Sequence, residues 1–528
     1  MDAAVAIRDL KRFAADQVDP ATLPIPSIED RSEKVAVVGS GPAGLAVAYY
    51  LRLKGYQITI FEALQELGGM LRVGIPDYRL PPIILDREID GILRLGMDVR
   101  TGMRLGTDFT LADLKSEGYA AVFLGIGAHG SVKLSVTGEA DTRGVMDAVE
   151  FLRQVNLGGE SLPGRHVVIV GGGNVAVDAA RVAVRLGAQT VRVVYRRSET
   201  EMPAYPEEIK DARDEAIEFS FLTAPVRIIA EDGKVCGLEC IRTELGQPDA
   251  GGRRRPVMVE GSEFAIACDA VITAIGQKID RSWAAQLPEL QWTRRSTLSV
   301  NAATLQSAIP YVFAGGDMVT GPASVIEAVA AGHKAVAAIC SFLNHEDLSM
   351  ISEPAADLEP PGHDWREIPQ NIAGRSRPPS RYLNSGERTS SFKEVDLGFQ
   401  EKAARQEALR CLNCGICSEC MECVRVCEAN AIDHAMQPQE LEVTVGSIIL
   451  ATGYDTFDPT RMQQYGYGTY ANVFTSLEFE RLSNATGPTG GKILIRDKNG
   501  EFTQFPRRVA ILHCVGSRDV NYHEYCSR

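Results

Sequence analysis

Residues 34–44 read Lys-Val-Ala-Val-Val-Gly-Ser-Gly-Pro-Ala-Gly, an apolar strand that runs directly into a glycine-rich turn. An amphipathic run and a second apolar strand, residues 57–61, follow it. This order predicts a βαβ unit in which Gly39 makes the tight turn, Gly41 lets the backbone approach a pyrophosphate, and Gly44 allows close helix–strand packing. Such a unit is typical of domains that bind a dinucleotide at a helix N-terminus.

Two further residues of this unit are predicted to contact the ligand. The N–H groups that open the helix, including that of Ala43, are available to phosphate oxygens. Glu62 follows the second strand, 18 residues after Gly44, where an acidic residue can accept hydrogen bonds from an adenosine ribose. A plain tight turn is the alternative, and the complete βαβ context argues against it.

A second βαβ opening repeats the pattern from residue 166. The apolar strand 166–170 precedes a glycine loop with alanine in the third place, which the fingerprint allows. The residues predicted to bind a dinucleotide here are Gly171, Gly173, Asn174, Val175 and Ala176. After the next strand come Arg196 and Arg197, which suit the 2′-phosphate of NADP through charge-assisted contacts. A solvated basic loop is the alternative interpretation of the two arginines.

Two dinucleotide sites in one chain suggest a flavin and a nicotinamide, between which hydride passes while the protein positions the two rings. This chemistry needs no acid–base triad, and the sequence contains no convincing one. We therefore assign no catalytic side chain.

Composition narrows the class of protein further. The chain has 528 residues and a formal charge of −14, which argues against nucleic acid as the main partner. No stretch approaches the ~18 consecutive apolar residues that read as a transmembrane helix. The first residues carry charges where a signal peptide has an apolar core. We expect a cytoplasmic protein of several domains with no membrane span.

Cysteine is concentrated in one segment. Of 12 cysteines, six lie in residues 411–427: Cys411, Cys414, Cys417, Cys420, Cys423 and Cys427. The last four have the C-x₂-C-x₂-C-x₃-C spacing of bacterial ferredoxins, with Glu428 in place of the usual proline. Zinc is the alternative, although zinc modules usually separate their cysteine pairs by a longer loop. We predict one 4Fe–4S cluster, and the sequence leaves open whether the run holds one or two.

Residues from about 5 to 343 resemble the NADPH-dependent FAD oxidoreductase module of glutamate synthase small subunits. Related modules occur in dihydropyrimidine dehydrogenase and in the large subunit of NADH-dependent ferredoxin:NADP oxidoreductase. Beside the two glycine loops, the segments that carry the resemblance are 68–76, 194–204, 274–277 and 313–318.

The resemblance implies an FAD domain split around an NADPH domain, and it adds cofactor-binding residues. Gly69, Met70, Leu71 and Pro76 would line the isoalloxazine ring. Asp317 would bind the ribityl chain or pyrophosphate of FAD, and Ser324 and Val325 would begin a helix under the flavin. Gly276 and Gly316 are further positions implied for the cofactors. The family places cysteine clusters ahead of the first glycine loop, where this chain has none, so the clusters are expected on the C-terminal side.

The tail resembles the middle of the A subunit of heterodisulfide reductase. The matching segments are 445–454, 464–468, 475–480, 513–519 and 525–528. In that family such cysteines help to hold a further 4Fe–4S cluster, which makes Cys514 and Cys526 candidate ligands. Because a cluster generally needs four thiolates, we expect the coding sequence to continue past Arg528 with at least two more cysteines, or a partner chain to supply them.

We therefore predict an α/β protein with two nested doubly wound dinucleotide-binding (Rossmann-like) domains, a small ferredoxin-like iron–sulfur module and an incomplete α/β C-terminal segment. The predicted boundaries are 1–32 for a helical lead-in, 33–144 and 266–343 for the FAD domain, 145–265 for the NADPH domain, 344–404 for a linker, 405–438 for the iron–sulfur module and 439–528 for the heterodisulfide reductase-like segment.

The predicted function is that of an FAD- and iron–sulfur-dependent oxidoreductase. Hydride would pass between NAD(P)H and FAD, and single electrons between the flavin and the cluster. NADPH is the expected nucleotide, with NADH left open. Heterodisulfide reductase-like subunits or a ferredoxin are the expected partners, within a multi-subunit complex. A glutamate synthase small subunit and a non-enzymatic electron-transfer or assembly subunit are the alternatives; the direction of flow and the terminal acceptor stay open.

Overall fold

The computed structural model describes residues 5–159, 162–248, 254–285, 287–351, 375–411, 446–447, 456–497, 500–517 and 522. The described residues form two compact units. The larger unit takes its residues from 6–355 and 378–404, and the smaller unit takes its residues from the remainder.

The strands are, in chain order, β1 (Lys34–Val38), β2 (Gln57–Phe61), β3 (Asp98–Arg100), β4 (Tyr119–Leu124), β5 (Gly130–Ser131), β6 (Val145–Asp147), β7 (His166–Val170), β8 (Thr190–Val194), β9 (Glu218–Ser220), β10 (Thr223–Glu231), β11 (Lys234–Pro248), β12 (Arg254–Met258), β13 (Phe264–Ala267), β14 (Ala270–Thr273), β15 (Gln277–Lys278), β16 (Val312–Ala314), β17 (Arg381–Tyr382), β18 (Asp396–Gly398), β19 (Ile495–Arg496) and β20 (Phe502–Gln504).

The α-helices are α1 (Ile7–Asp16), α2 (Pro42–Leu53), α3 (Met70–Val73), α4 (Pro82–Leu93), α5 (Leu111–Ser116), α6 (Ala148–Asn156), α7 (Asn174–Arg185), α8 (Pro206–Asp214), α9 (Asp317–Thr320), α10 (Val325–Leu343), α11 (Ser385–Ser390), α12 (Glu401–Ala408) and α13 (Ser476–Ser483). Short 3₁₀ helices occupy Pro20–Thr22, Glu199–Glu201, Ser282–Ala284, Leu348–Met350, Pro459–Arg461 and Gln463–Tyr465.

The first domain is built on a parallel five-stranded sheet in the order β16-β4-β1-β2-β3. Strand β1 has an almost continuous apolar run, and residues 35–38 of it are buried. This is the pattern of a parallel strand covered on both faces. Helices α2 and α10 pack together on the sheet, and their contact is close because Gly332 has no side chain: a Cβ there would lie 2.8 Å from that of Ala46.

The second domain has its own parallel sheet, in the order β6-β14-β7-β8-β9. Strand β14 pairs with both β6 and β7, and all four of its residues are buried. The predicted boundary between residues 265 and 266 is therefore wrong, because β14 belongs to the second domain and the chain returns to the first domain after Thr273. A short buried strand carries no local signal of which sheet it will join.

An antiparallel sheet of β10–β13 precedes β14, so the second domain is larger than a plain βαβ fold. The short pair β5 and β15 forms a separate two-stranded sheet, and Gly130 pairs there with Lys278. One of these strands lies on the chain's path from the first domain to the second, and the other lies on the return path.

The prediction of a linker over 344–404 is wrong for its C-terminal part. Residues 378–404, which we call the strap, pack within the larger unit. Val395 is buried with the core of the second domain, and Phe399 packs on α1. Arg12 of α1 also donates to the carbonyl of Asp396 at 2.7 Å. Few apolar residues indicated a linker, but two well-placed ones are enough to anchor this segment.

In the smaller unit, residues 508–513 of the tail do not form a strand. These residues lie outside the strands and are exposed, and Ile511 is 72% exposed. The segment 445–454, which carries part of the resemblance to heterodisulfide reductase, lies mostly outside the described residues. Within the part of the chain that the structure describes, α10 is the one helix long and apolar enough to cross a membrane, and its buried residues pack in the core of the first domain.

A buried ionic cluster holds α7 and α8 together. The carboxylate of Glu215 accepts from Arg181 at 2.7 Å and from Arg185 at 2.6 Å, and all three side chains are almost fully buried. Burial raises the pKa of Glu215, but the hydrogen bonds from the two guanidinium groups outweigh it and leave the pKa below its usual value.

We predict that Glu215→Ala destabilises the second domain by about 3–5 kcal/mol, because two arginines are left buried without their carboxylate. Thermal or denaturant unfolding checks this. Asp214→Ala, one residue away on the same helix and exposed, is the matched control and should unfold like the wild type. Equal unfolding of all three proteins would contradict the prediction.

Candidate functional site

The first glycine loop is held by backbone contacts that leave no space for a side chain at Gly39 or Gly44. Gly39 has a φ of +99°, and a Cβ at this residue would lie 2.4 Å from the carbonyl oxygen of Gly125. A Cβ on Gly44 would lie 1.9 Å from the carbonyl oxygen of Gly39. At Gly41, by contrast, a Cβ would meet nothing within 4 Å. The loop is therefore tight on the protein side and open at the residue predicted to face a pyrophosphate.

Glu62 lies beside this loop and is buried. One of its carboxylate oxygens accepts from the backbone N–H and the hydroxyl of Ser40, at 2.9 and 2.6 Å. The other accepts from the backbone N–H of Leu64 at 2.9 Å. Ser40 was not among the predicted site residues, although it lies between the first two glycines of the fingerprint. These bonds orient the carboxylate while leaving it further capacity to accept.

Two other predicted segments meet the first loop, one at Gly69 and one at Gly316. Gly69 has a φ of +54°, and a Cβ there would lie 2.7 Å from the Cα of Gly41. Met70 and Leu71 begin α3 directly after it, and Pro76 follows that helix. A Cβ on Gly316 would lie 3.1 Å from that of Ala43. The structure thus brings together residues that are far apart in sequence.

Asp317 begins α9 at this convergence and accepts from the N–H of Ala323 at 3.2 Å. Burial raises the pKa of Asp317 to about 6. Ser324 caps α10 through a capping box with Glu327. Val325 and Ile326 then open the helix with apolar side chains that are 44% and 73% exposed. Ile326 belongs to the helix start that the resemblance places under the flavin, and exposed apolar side chains suit contact with a flat apolar ring.

The second loop has the same construction. Gly171 has a φ of +150°, and a Cβ there would lie 2.2 Å from the carbonyl oxygen of Ala274, whereas Gly173 faces open space. The side-chain oxygen of Asn174 accepts from the N–H of Tyr205 at 3.0 Å, which orients the first residue of α7. Ala176 is buried against the sheet, and Val175 is half-buried. Gly276, with a φ of +141°, follows strand β14.

The two predicted arginines differ in their environments. Arg196 is exposed and its carbonyl accepts from the hydroxyl of Thr243 at 2.8 Å. The Nε of Arg197 donates to the carbonyl of Arg254 at 2.9 Å, and Arg254 forms an ion pair with Glu201. Arg254 lies on β12, more than fifty residues away, so nothing near the arginine pair in sequence points to it. The hairpin β11–β12 thereby presents a third arginine beside the pair.

The predicted metal ligands are largely untested by the structure. Cys414, Cys417, Cys420, Cys423, Cys427 and Cys526 lie outside the described residues. Cys411 and Cys514 are described, and both are exposed free thiols. Among the described residues, no group of three or more His, Cys, Asp or Glu side chains could hold a metal ion.

A match to a family model defines the class of protein. Residues 33–332 match the pyridine nucleotide-disulphide oxidoreductase family, which is more than half of the chain. The chain belongs to this family and is an oxidoreductase. The fold supports FAD and NADPH as its cofactors, and the predicted α/β dinucleotide-binding class is confirmed.

Similar proteins show which members of the family the chain resembles. It is 43% identical over 440 residues to the NADP(+)-dependent formate dehydrogenase subunit beta of Moorella thermoacetica, a match that covers 78% of this chain and 62% of that protein. It is 38% identical over 444 residues to the NADPH-Fe(3+) oxidoreductase subunit beta of Geobacter sulfurreducens, covering 78% and 66%. The chain thus spans about two thirds of the length of these relatives.

The resemblance to glutamate synthase small subunits is confirmed. The Escherichia coli glutamate synthase [NADPH] small chain is 38% identical over 365 residues, covering 64% of this chain and 75% of that protein. Among solved structures, Mycobacterium tuberculosis FprA in complex with NADPH has a TM-score of 0.52 and 20% identity, covering 60% of this chain and 85% of that one. This likeness shows the shared fold.

The contrast between Gly41 and Gly44 yields a prediction. A methyl group at Gly41 meets no protein atom, so Gly41→Ala should leave the unfolding temperature of the flavin-free protein unchanged while reducing its FAD content. Gly44→Ala places a methyl against the Gly39 carbonyl and should lower both. Flavin absorbance and thermal unfolding after reconstitution check this. Full FAD content in Gly41→Ala would contradict a pyrophosphate at that residue.

Proposed function

We propose that the chain is an electron-transfer subunit that passes electrons between NADPH and an iron–sulfur partner through FAD. When bound, FAD would supply the chemistry of exchanging hydride with the nicotinamide and single electrons with an iron–sulfur cluster. The single observation that supports this most is the pair of glycine loops. Each opens a helix, and each leaves free space at its middle glycine, Gly41 or Gly173.

In this proposal the first loop holds FAD. The free N–H groups that follow Gly41 receive the pyrophosphate, and Glu62 receives the adenosine ribose. Asp317 approaches the ribityl or phosphate portion, and Gly69 through Pro76 line the ring. Val325 and Ile326, exposed at the start of α10, cover one part of the ring with apolar surface.

The second loop holds NADPH. Gly173 and the start of α7 receive its pyrophosphate, with Asn174 already oriented by Tyr205. Arg196 and Arg197 receive the 2′-phosphate, and the hairpin that carries Arg254 sets the direction of Arg197. No side chain of this site is assigned proton transfer, so the protein's contribution is to bind and align the two cofactors.

The cysteine run would carry electrons away from the flavin as one or two 4Fe–4S clusters. Its spacing supports this, as does the extent of similarity along the chain. The two relatives named as subunits beta match over 440 and 444 residues, against 365 for the glutamate synthase small chain. The longer matches favour an electron-transfer subunit over a glutamate synthase subunit. Heterodisulfide reductase-like subunits or a ferredoxin are proposed partners.

The nucleotide preference can be tested by removing the arginine charges. Arg196→Gln with Arg197→Gln should weaken NADPH binding by about 10- to 100-fold, the equivalent of one charge-assisted contact. Binding of NADH should change little, since it has no 2′-phosphate. Titration of the oxidised protein with NADP⁺ and NAD⁺ measures both affinities.

Arg192→Gln is the matched control, because Arg192 lies on the preceding strand and pairs with Glu218. It should leave both affinities as in the wild type. An equal loss of affinity for both nucleotides in the double variant would show that the arginines do not recognise the 2′-phosphate.

The cluster can be tested by metal analysis of the anaerobically purified chain. We expect about four iron and four sulfide ions per cluster. Cys420→Ser should reduce both, whereas Cys236→Ser, an exposed cysteine on β11, should not. Stoichiometric zinc without iron would contradict the iron–sulfur assignment.

A further inference from the structure

Residues 74–81, between α3 and α4, connect the residues proposed to line the flavin with the second domain, which is proposed to bind NADPH. This segment continues directly from the residues proposed to line the flavin, yet its side chains bind the second domain. Tyr78 is fully buried in the core of that second domain. The stacking of Arg185 over its ring, at 3.8 Å from the ring centre, adds to this contact.

An ion pair also joins the two domains. Nη1 of Arg79 donates to both carboxylate oxygens of Asp178 on α7, at 2.8 and 3.0 Å. The hydroxyl of Tyr78 donates to the same carboxylate at 3.3 Å. Nη2 of Arg79 lies 3.1 Å from a carboxylate oxygen of Glu208 on α8. Asp178 is only 4% exposed, so water screens this pair little.

A second contact fixes the same segment independently. The side-chain amide of Asn156, the last residue of α6, donates to the carbonyls of Arg72 and Ile75 at 3.2 and 2.9 Å. Those carbonyls belong to the end of α3 and the turn after it, immediately before Pro76. The flavin-lining residues are therefore held at two points by helices of the second domain.

Arg79 and Asp178 each lie a few residues from one of the two proposed cofactor sites. Asp178 lies four residues, about one helical turn, after Asn174, so it is on the face of α7 below the second glycine loop. Arg79 lies three residues after Pro76. A rigid helix turn on one side and three residues on the other connect the pair to the two proposed cofactor sites.

We infer that Arg79 and Asp178 are positioning residues for hydride transfer, setting the separation of the flavin-lining segment from the nucleotide loop of the second domain. The inference rests on the proposed function. Hydride transfer moves two electrons and one proton directly between the rings, so its rate depends steeply on their separation. Neither side chain need touch either cofactor to have this effect.

Burying the charges of Arg79 and Asp178 costs desolvation free energy, which an apolar contact between the domains would not. Burial raises the pKa of Asp178 to about 6, against the opposing charge of Arg79. A buried ion pair of this kind is often no more stabilising than apolar residues of the same volume. A directional pair does, however, define one geometry between two domains, which an apolar contact does not.

The test uses the full chain loaded with FAD, mixed anaerobically with NADPH in a stopped-flow instrument. Asp178→Asn keeps the side-chain volume and removes the charge. We expect at least about a tenfold lower limiting rate of flavin reduction, with NADP⁺ affinity unchanged within about twofold. The primary isotope effect with 4-deuterated NADPH should rise as hydride transfer becomes more rate-limiting. If Asp178 had a purely structural role, Asp178→Asn would lower stability but would not slow flavin reduction while leaving NADP⁺ affinity unchanged.

Arg79→Gln approaches the contact from the other side and should have the same effect. The double variant should be no slower than either single variant, because both remove one interaction. Asp211→Asn is the matched control: it makes the same chemical change on α8, but Asp211 pairs with Arg181 and Arg388 and not with the flavin-lining segment. It should reduce flavin at the wild-type rate.

A measurement on the flavin-free protein is independent of activity. Amide hydrogen exchange in residues 70–80 should be faster in Asp178→Asn and Arg79→Gln than in the wild type and in Asp211→Asn. Wild-type exchange and wild-type reduction rates in both variants would overturn the inference. So would a loss confined to NADP⁺ affinity, or the failure of both variants to fold.

If NADPH does not reduce the flavin of the wild type, the proposed function fails, while the exchange comparison still decides whether the pair holds the segment.

Discussion

Contact between backbones, at places where no side chain fits, is the constraint on which both domains depend. At Gly44 and at Gly171, a single added methyl carbon would lie within 2.2 Å of a carbonyl oxygen. Each contact presses a helix or loop against the end of a central strand, so the free N–H groups of α2 and α7 emerge at the carboxyl edges of their sheets. That edge is where open α/β sheets bind ligands. The ligand sites are thus a consequence of how tightly the loops pack.

The strap, residues 378–404, also packs against the two cofactor-binding domains. The N–H of Val395 donates to the carbonyl of Tyr78 at 2.9 Å, and Arg388 pairs with Asp211 at 3.1 Å. Residues 378–404 therefore contact the segment that follows the residues proposed to line the flavin, and also a helix of the second domain.

The local sequence pattern was sufficient to predict the strands that lead into the two glycine loops. The predicted strands 34–38, 57–61 and 166–170 agree with β1, β2 and β7, because an apolar run that ends in a required glycine allows few alternatives. The membership of β14 and the packing of the strap could not be predicted, since both depend on partners more than a hundred residues away. The contact of Arg197 with Arg254 is of the same non-local kind.

The third position of the fingerprint shows how the two loops differ despite a shared pattern. In the first loop this residue is Gly44, where even one methyl group would collide with the Gly39 carbonyl. In the second loop it is Ala176, whose methyl group is fully buried among the apolar residues of α7 and the second sheet. Helix α7 therefore accommodates a side chain at its closest approach to the strand, and α2 does not. The first loop is consequently the more restrictive of the two, and substitutions there should be tolerated least.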